Sequence, residues 1–596
     1  MRGIERKLRL GGRFAVISLS LGMALVSCAT EKGEADLVLV NGDIYTMEAV
    51  APKARALVVK GDRILAVCAT DDEAGAYIGP STKVVDLRGR WAVPGLIDGH
   101  VHFNQAGALI LDANLMTVSD EAGLRKEIGR VTGILEDGEW ITGGLYGAYE
   151  QWALGDSGAK EDGKKEPWRP ARAMIDDLTP ANPCFLCRFD YGEWLANTAA
   201  YEAAGLDRAP LEGMEIGKDG RPTGIIFAGT PAFRKMRESQ KPKSRARLLD
   251  ENRAALKALR EAGIVEVHDI ERPDQTDRFA ELEERGELTC RVWLRPDLSR
   301  GAELGQAGFR MGLHPKTRQK SAWLRYGALK GYIDGIMGTH GALFFEPYDD
   351  EPGNYGHWRP HTSDDPDNKV RNMDKIFGLI KTGLEFGFVP NVHAIGDRGV
   401  AEMLDLYERL SRELGRDLEG SRVIHAQVIR PRDFPRFKAL NVIAEVNPYH
   451  ISDDMRWMEE RIGRERCKGA YAFKTLLANG ATLSFGSDWP GTSAALYHMH
   501  PKYLIYAAVT RQTLNGTPEG GWFPEERISV EEALRAYTIN NAYAAFEADL
   551  RGSLKEGKLA DITVFDRNLL EIPAADILNA EVTRTIVGGK IVFEKD

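Results

Sequence analysis

Residues 93 to 102 read Val93-Pro94-Gly95-Leu96-Ile97-Asp98-Gly99-His100-Val101-His102, an apolar run that closes on two histidines. Pro94-Gly95 permits a turn, and Val93, Leu96 and Ile97 have the texture of a buried strand. Side chains alternate faces along a strand, so His100 and His102 point the same way, roughly 7 Å apart. Two imidazoles on one face of a strand end are able to grip one metal ion. The same pattern also fits two polar residues leaving a strand, and the choice rests on what lies further along.

Four later segments repeat the arrangement of an apolar strand ending in a ligand-type residue. They are Leu329-Lys330-Gly331-Tyr332 before Asp334-Gly335, Phe388-Val389-Pro390-Asn391-Val392-His393 before Gly396-Asp397, Arg422-Val423-Ile424-His425, and Thr482-Leu483-Ser484-Phe485-Gly486-Ser487-Asp488-Trp489-Pro490. Helix-like stretches separate them, for example 400–414 and 470–477. Strand, helix and strand again is the pattern of a parallel α/β barrel, whose active site gathers at the C-terminal strand ends. Two histidines, then a lysine, two more histidines and an aspartate converge there.

The order His-x-His, Lys, His, His, Asp resembles the amidohydrolase superfamily. The phrases VPGLIDGHVH, NVHAIGDRG, RVIHAQ and FGSDWP are similar to its branch called amidohydrolase family 3. The resemblance runs from about Ala35 to the C-terminus and keeps all the motifs in order. It implies an α/β fold, a (β/α)8 TIM-type barrel with a small discontinuous β-sandwich formed by the two chain ends. The domains expected are a β-sandwich part at 35–92, a barrel with insertions at 93–547 and a second sandwich part at 548–596. The ends have that texture: Asp36-Leu37-Val38-Leu39-Val40 precedes Asn41-Gly42, and Gly557 to Asp566 and Val582 to Phe593 are short alternating runs.

Neutral imidazoles and carboxylates suit zinc or a similar divalent ion, whereas a lysine ammonium is a poor ligand at neutral pH. In the superfamily the mid-barrel lysine is often carboxylated by CO2. The resemblance therefore implies one or two divalent metals: His100, His102 and Asp488 on one, His393 and His425 on the other, with a carbamate on Lys330 bridging them. A salt-bridged Lys330 under a one-metal site is the alternative. Hydrolysis of a C–N bond (an amide, N-acyl or N-formyl group of a small organic molecule) by metal-activated hydroxide follows, with Asp488 moving the proton. Other readings are deamination, ester hydrolysis or isomerisation by the same superfamily, or a ligand-binding surface lipoprotein on a degenerate barrel. No Gly-x-Ser-x-Gly elbow is present.

His268, at the end of Gly263-Ile264-Val265-Glu266-Val267-His268, is expected to line the pocket, and so are His450 and Trp489. Asp397 and Arg398 are expected to orient His393. His340, His357 and His361 sit in a Gly-rich acidic insertion and read as loop or lid residues. Many relatives carry Asp-Gly-His where this chain has Asp190-Tyr191-Gly192, so Tyr191 stands as a substitute substrate contact.

Residues 1–27 read as a secretory signal: Arg2, Arg6, Lys7, Arg9 and Arg13 precede an apolar run from Phe14 to Val26 that is too short to span a bilayer. Leu25-Val26-Ser27-Cys28 resembles a bacterial lipobox, which implies lipidation of Cys28 and an exported, periplasmic enzyme anchored to the outer membrane. With 43% hydrophobic and 28% charged residues the chain has enough apolar material for a large core. Its formal charge of −10, and −14 without the basic leader, argues against nucleic acid or anionic lipid as partner. The partners expected are a small-molecule substrate, a membrane only through the lipid, and a second copy in a homodimer. Cys184-x-x-Cys187 has no second pair for zinc, so it reads as a structural thiol pair or a strained disulfide.

Overall fold

The computed structural model describes residues 33–116, 118–147, 168–188, 191–365, 368–491 and 499–595. The expected leader, Cys28 and Asp190 lie outside them.

Nine parallel strands position the site: β1 (Leu96–Val101), β2 (Ile264–Ile270), β3 (Arg291–Arg295), β4 (Leu324–Tyr326), β5 (Leu329–Tyr332), β6 (Pro390–Ala394), β7 (Arg422–His425), β8 (Ile443–Val446) and β9 (Leu483–Phe485). The order β4-β3-β2-β1 makes one sheet and β5-β6-β7-β8-β9 the other. Parallel bridges join their ends at Asp297–Lys330 and Val101–Trp489. This is an α/β, TIM-barrel-like arrangement. The strands are buried along nearly their whole length, as parallel strands covered on both faces must be.

Helices return the chain between strands, among them Arg245–Glu261, Met373–Glu385 and Asp397–Leu414. The last buries Val400, Met403, Leu404, Tyr407 and Leu410 at three- and four-residue spacing, and ends at Gly415 with φ +63°. Its start at Asp397 places the expected 400–414 helix within it. At the top of β9, a Cβ on Gly486 would lie 2.5 Å from the His100 Cβ, so only glycine lets β9 close on β1 here.

The two chain ends meet. Ile562–Phe565 pairs antiparallel with Trp91–Pro94, inside a six-stranded sheet that also holds Asp43–Tyr45 and Val582–Val587. A four-stranded sheet contains Leu37–Val40 and Ala56–Lys60. Leu39, Leu57 and Val59 from this sheet share one buried cluster with Ala92, Ile562, Val564 and Ile586 from the other.

The stretch between β1 and β2, where the sequence carries no readable motif, holds a further six-stranded sheet. It includes Gly143–Tyr146, Phe185–Arg188, Glu193–Ala196 and Pro222–Phe227, with its own cores around Leu186 and Phe185. Cys184 and Cys187 belong to it and both are buried. Cys184 is a thiol facing the Asn182 carbonyl, while the Cys187 sulfur faces the Gly143 carbonyl at 3.2 Å. A disulfide between them is therefore excluded, and burial pushes the Cys184 thiol pKa up. Among the described residues no helix is long and apolar enough to cross a membrane.

Candidate metal centre

His100 is the fifth residue of β1 and fully buried; His102 follows the strand and caps the next helix. Their ring centroids are 5.5 Å apart. Asp488, three residues past β9, places Oδ1 3.4 Å from His100 Nε2 and 3.2 Å from His102 Nε2. Ligand atoms of His100, His102 and Asp488 all lie within 4.8 Å of one another. So do those of His425, His450 and Asp488. Asp488 is common to both groups, and its φ of +60° and that of His425, +70°, are left-handed. Such backbone costs about 1–3 kcal/mol per residue and collects where function demands a particular side-chain direction.

His393 packs edge-on against His425 with centroids 4.5 Å apart, but its ligand atoms fall outside the 4.8 Å groups. Lys330 is buried, with Nζ 4.8 Å from the Tyr332 ring centroid. Burial, helped by Arg295, draws its pKa down to about 7. His450, expected against the substrate, has its ring parallel to His425 and Nε2 3.8 Å from Asp488 Oδ2, within ligand reach. Trp489 is buried, and its carbonyl accepts from the His102 amide at 2.7 Å, which pins His102 to the β9 side.

A model of the family described as "Amidohydrolase family" matches residues 83–593. The chain belongs to the amidohydrolase family. It is 32% identical over 575 residues to the protein LONG AFTER FAR-RED 3 of Arabidopsis thaliana, across 94% of this chain and 92% of that one. N-substituted formamide deformylase of Arthrobacter pascens is 25% identical over 577 residues, across 94% and 98%. Among solved structures, an uncharacterized metal-dependent hydrolase from Pyrococcus furiosus is similar at a TM-score of 0.68 and 25% identity, over 90% of this chain and 100% of that one. The protein is accordingly a hydrolytic enzyme with a candidate metal centre of histidine and aspartate.

The donor set of this amidohydrolase fits such an ion. His100 Nδ1 hydrogen-bonds to Glu445 Oε1 at 2.6 Å, which leaves Nε2 buried without a hydrogen-bond partner and facing Asp488. Burial, then the cations Lys330 and Arg295, hold His100 well below the usual imidazole range, so it stays neutral. His425 Nδ1 meets Asn447 Oδ1 at 2.7 Å, again leaving Nε2 for a ligand, and burial lowers its pKa to about 3. Burial works against ionisation of Asp488, but the imidazoles facing it, with His102 as a hydrogen-bond partner, hold its pKa well below the usual carboxylate value.

Glu445, on β8, was not foreseen. Its carboxylate binds Arg295 at 2.9 Å and Arg422 at 2.7 Å, all three fully buried. Those two guanidiniums overcome the cost of burial and hold it ionised. The network runs on through His268, whose Nδ1 lies 3.1 Å from Arg422 and Nε2 3.3 Å from Glu266, to Arg325 at 2.7 Å from Glu266. His268 therefore does not line the pocket: both its nitrogens are spent inside the strand layer and it has no exposed surface. Asp397 is also displaced from its expected role, since its Oδ1 accepts the Phe345 amide. Asp334 supports His393 instead, at 3.4 Å from Nε2, while accepting amides of Leu343, Ile395 and Gly396. Tyr191 is 57% exposed with its ring 6.5 Å from Trp194, on the inserted sheet.

The histidines of the insertion divide. His340 pairs with Asp350, and His361 pairs with Asp297 and stacks on Tyr332 at 6.0 Å. His357 packs under Gly335 and Gly341, where a Cβ would strike it. A cavity of about 210 Å3 opens beside the centre, lined by His102, Asn104, Gln105, Ile270, Glu271, Arg272 and Tyr332.

Proposed function

We propose that this amidohydrolase cleaves a C–N bond of a small amide, N-acyl or N-formyl compound, with His100, His102, His425, His450 and Asp488 as ligands of one or two zinc ions. The observation that carries this reading is the sharing of Asp488 between two three-residue ligand groups beside an open cavity. A divalent ion held there supplies Lewis acidity, activating water and polarising a carbonyl. Asp488 accepts a proton on its carboxylate from the attacking water and passes it to the departing amine nitrogen. Glu445 and Asn447 fix the tautomers of His100 and His425, so that each presents Nε2. Burial draws the Lys330 pKa down to about 7, so part of it is the free amine to which CO2 adds, which supports a carbamate there and a binuclear site completed by His393.

The 25% identity to N-substituted formamide deformylase across nearly both whole chains favours amides over esters or rings. The two bridges between the parallel sheets support closure into a (β/α)8 barrel at 93–547. The joined ends at 35–92 and 548–596 support a discontinuous β-sandwich. The leader at 1–27 and Cys28 support export and an outer-membrane lipid anchor, which radiolabelled palmitate tests: label lost in Cys28→Ala is the expected result. The test of function is metal per chain by elemental analysis, followed by a panel of N-formyl and N-acyl amines. Two ions and turnover of an amide are expected. No metal after addition of zinc and bicarbonate overturns the reading.

A further inference from the structure

The chain enters the fold beside a patch of apolar surface that no described residue covers. Ala35 and Asp36 lead into the strand Leu37–Val40, and the segment 77–83 holds them in place. The Ala35 amide donates to the Tyr77 carbonyl at 2.9 Å, and the Lys83 amide to the Asp36 carbonyl at 3.0 Å. Glu34 accepts from the amide and the hydroxyl of Ser81 at 2.9 and 2.6 Å. The adjoining loop, Gly75-Ala76-Tyr77-Ile78-Gly79-Pro80, carries no charged residue in a chain that is 28% charged. Ala76, Ile78 and Pro80 are exposed, Ile78 by 43%. Val84, on the edge strand Lys83–Asp86 of the four-stranded sheet, is 46% exposed. Its neighbour Val85 turns into the cluster shared with the six-stranded sheet, so Val84 points to the opposite face. The two acids at the entry are committed, Glu34 to Ser81, and Asp36 to Lys60 Nζ and the Gly61 amide, both at 2.7 Å.

Gly33, the first described residue, stands only five positions after Cys28, a reach of at most ~18 Å for a fully extended chain. A lipid on Cys28 would hold the entry, and the loop tied to it, within that distance of a bilayer. The acyl chains then supply the affinity, and apolar side chains at the interface decide which face comes to rest on it. Ile78 and Val84 are such side chains, and Lys83 beside them has an apolar stem that lies along the surface while its ammonium stays among headgroups. The metal centre is at the other pole. Trp91–Pro94 of the six-stranded sheet runs into the start of β1, Thr563 Oγ1 donates to the Gly263 carbonyl just before β2, and Thr585 Oγ1 donates to the Arg260 carbonyl. That sheet therefore meets the parallel strands at their N-terminal ends, and the 6 residues of β1 put ~20 Å between it and His102. We infer that loop 75–80 and Val84 form the surface that rests on a phospholipid bilayer, and that the mouth of the metal centre opens away from the membrane, towards water-borne substrate. This rests on the lipid-anchor reading of Cys28.

The experiment uses the mature chain beginning at Cys28, coupled through that thiol to a maleimide lipid in vesicles of phosphatidylethanolamine and phosphatidylglycerol. The other five cysteines are buried, and Cys28→Ser is the uncoupled control. Hydrogen exchange read by mass spectrometry compares the coupled chain with the same chain capped by N-ethylmaleimide. Amides of 75–84 are expected to exchange about fivefold more slowly on the vesicle, while those of 359–365, around the His361 that stacks on the cavity residue Tyr332, are unchanged. In the double variant Ile78→Asp, Val84→Asp the slowing is lost, with exchange elsewhere in the chain unaltered. Equal exchange at 75–84 on and off the vesicle, slowing that survives the double substitution, or slowing at 359–365 instead, overturns the inference. Slowing that appears without vesicles and grows with protein concentration identifies a second copy as the occupant and also overturns it. Maleimide coupling puts the chain on a bilayer whether or not a cell lipidates it, so the two readings fail separately. Palmitate label without slowing removes the surface and leaves the anchor, whereas slowing without palmitate label leaves the bilayer-binding surface and removes the anchor.

Discussion

The two halves of the candidate centre are supported by opposite chemistry. His100 leans on an ionised carboxylate, Glu445, itself clamped by Arg295 and Arg422 in a network that continues through His268 and Glu266 to Arg325. His425 leans on a neutral amide, Asn447, whose own Nδ2 donates to the Gly486 carbonyl at 2.9 Å. A carboxylate partner makes an imidazole more basic and a stronger ligand; an amide only fixes its orientation. The charged half also carries the larger folding liability, because removing one member of a buried ion network strands the others in low dielectric. The difference teaches that metal ions held by the two ligand groups sharing Asp488 would sit in an asymmetric field, with the stronger support on the β1 side.

The strongest break is at the residue both halves share. Asp488→Asn should lower turnover by about 10^2–10^4-fold while far-UV circular dichroism stays native, as expected for loss of the proton-transfer group. Full turnover in that variant would remove Asp488 from the mechanism. Next comes the charged half alone. Glu445→Gln should weaken zinc binding by about 10–100-fold in a chelator competition and cost about 3–5 kcal/mol of stability in denaturant unfolding. Asn447→Ala should do less on both counts, with about tenfold in affinity and about 1–3 kcal/mol, since it leaves only neutral groups unsatisfied. Equal effects of the two substitutions would show the asymmetry to be without consequence.

The smallest effect is a matter of pH. Burial, followed by the charge of Arg422, keeps His268 neutral in the folded chain, with its pKa near 3 against an ordinary 6.5. The unfolded chain therefore binds the extra proton first. Stability is intact above pH 6.5 and declines as pH falls from there towards 3. Unfolding midpoints measured across that window should fall less steeply in His268→Gln than in wild type, and parallel slopes would mean that His268 does not titrate.

Much of this was legible in the chain. The run from Val93 to His102 announced a strand with two ligand-type residues, and His393, His425 and Asp488 stand near or just past the ends of parallel strands, as their flanking apolar residues indicated, while Lys330 lies inside its strand. Alternation and helical spacing are local properties, so ligand types, their order and the strands that bear them can be read from neighbours in sequence. Three things could not. Glu445 meets His100 across 345 residues and Arg295 across 150, and a glutamate inside Ile443–Val446 looks like any polar break in a strand until its partners are in place. His268 resembled a pocket residue because strand ends share one pattern whether the side chain points to the cavity or into a layer of buried charge. The sheet between β1 and β2 carries no chemical motif, so only packing around Phe185 and Leu186 defines it. The sequence by itself determined which histidines, and which aspartate, sit in order along the barrel strands, but it set His450 against the substrate and not among the candidate ligands. Tertiary structure alone decided what charges stand behind them, because a buried ion pair is stable only where distant strands deliver both partners to one dry place.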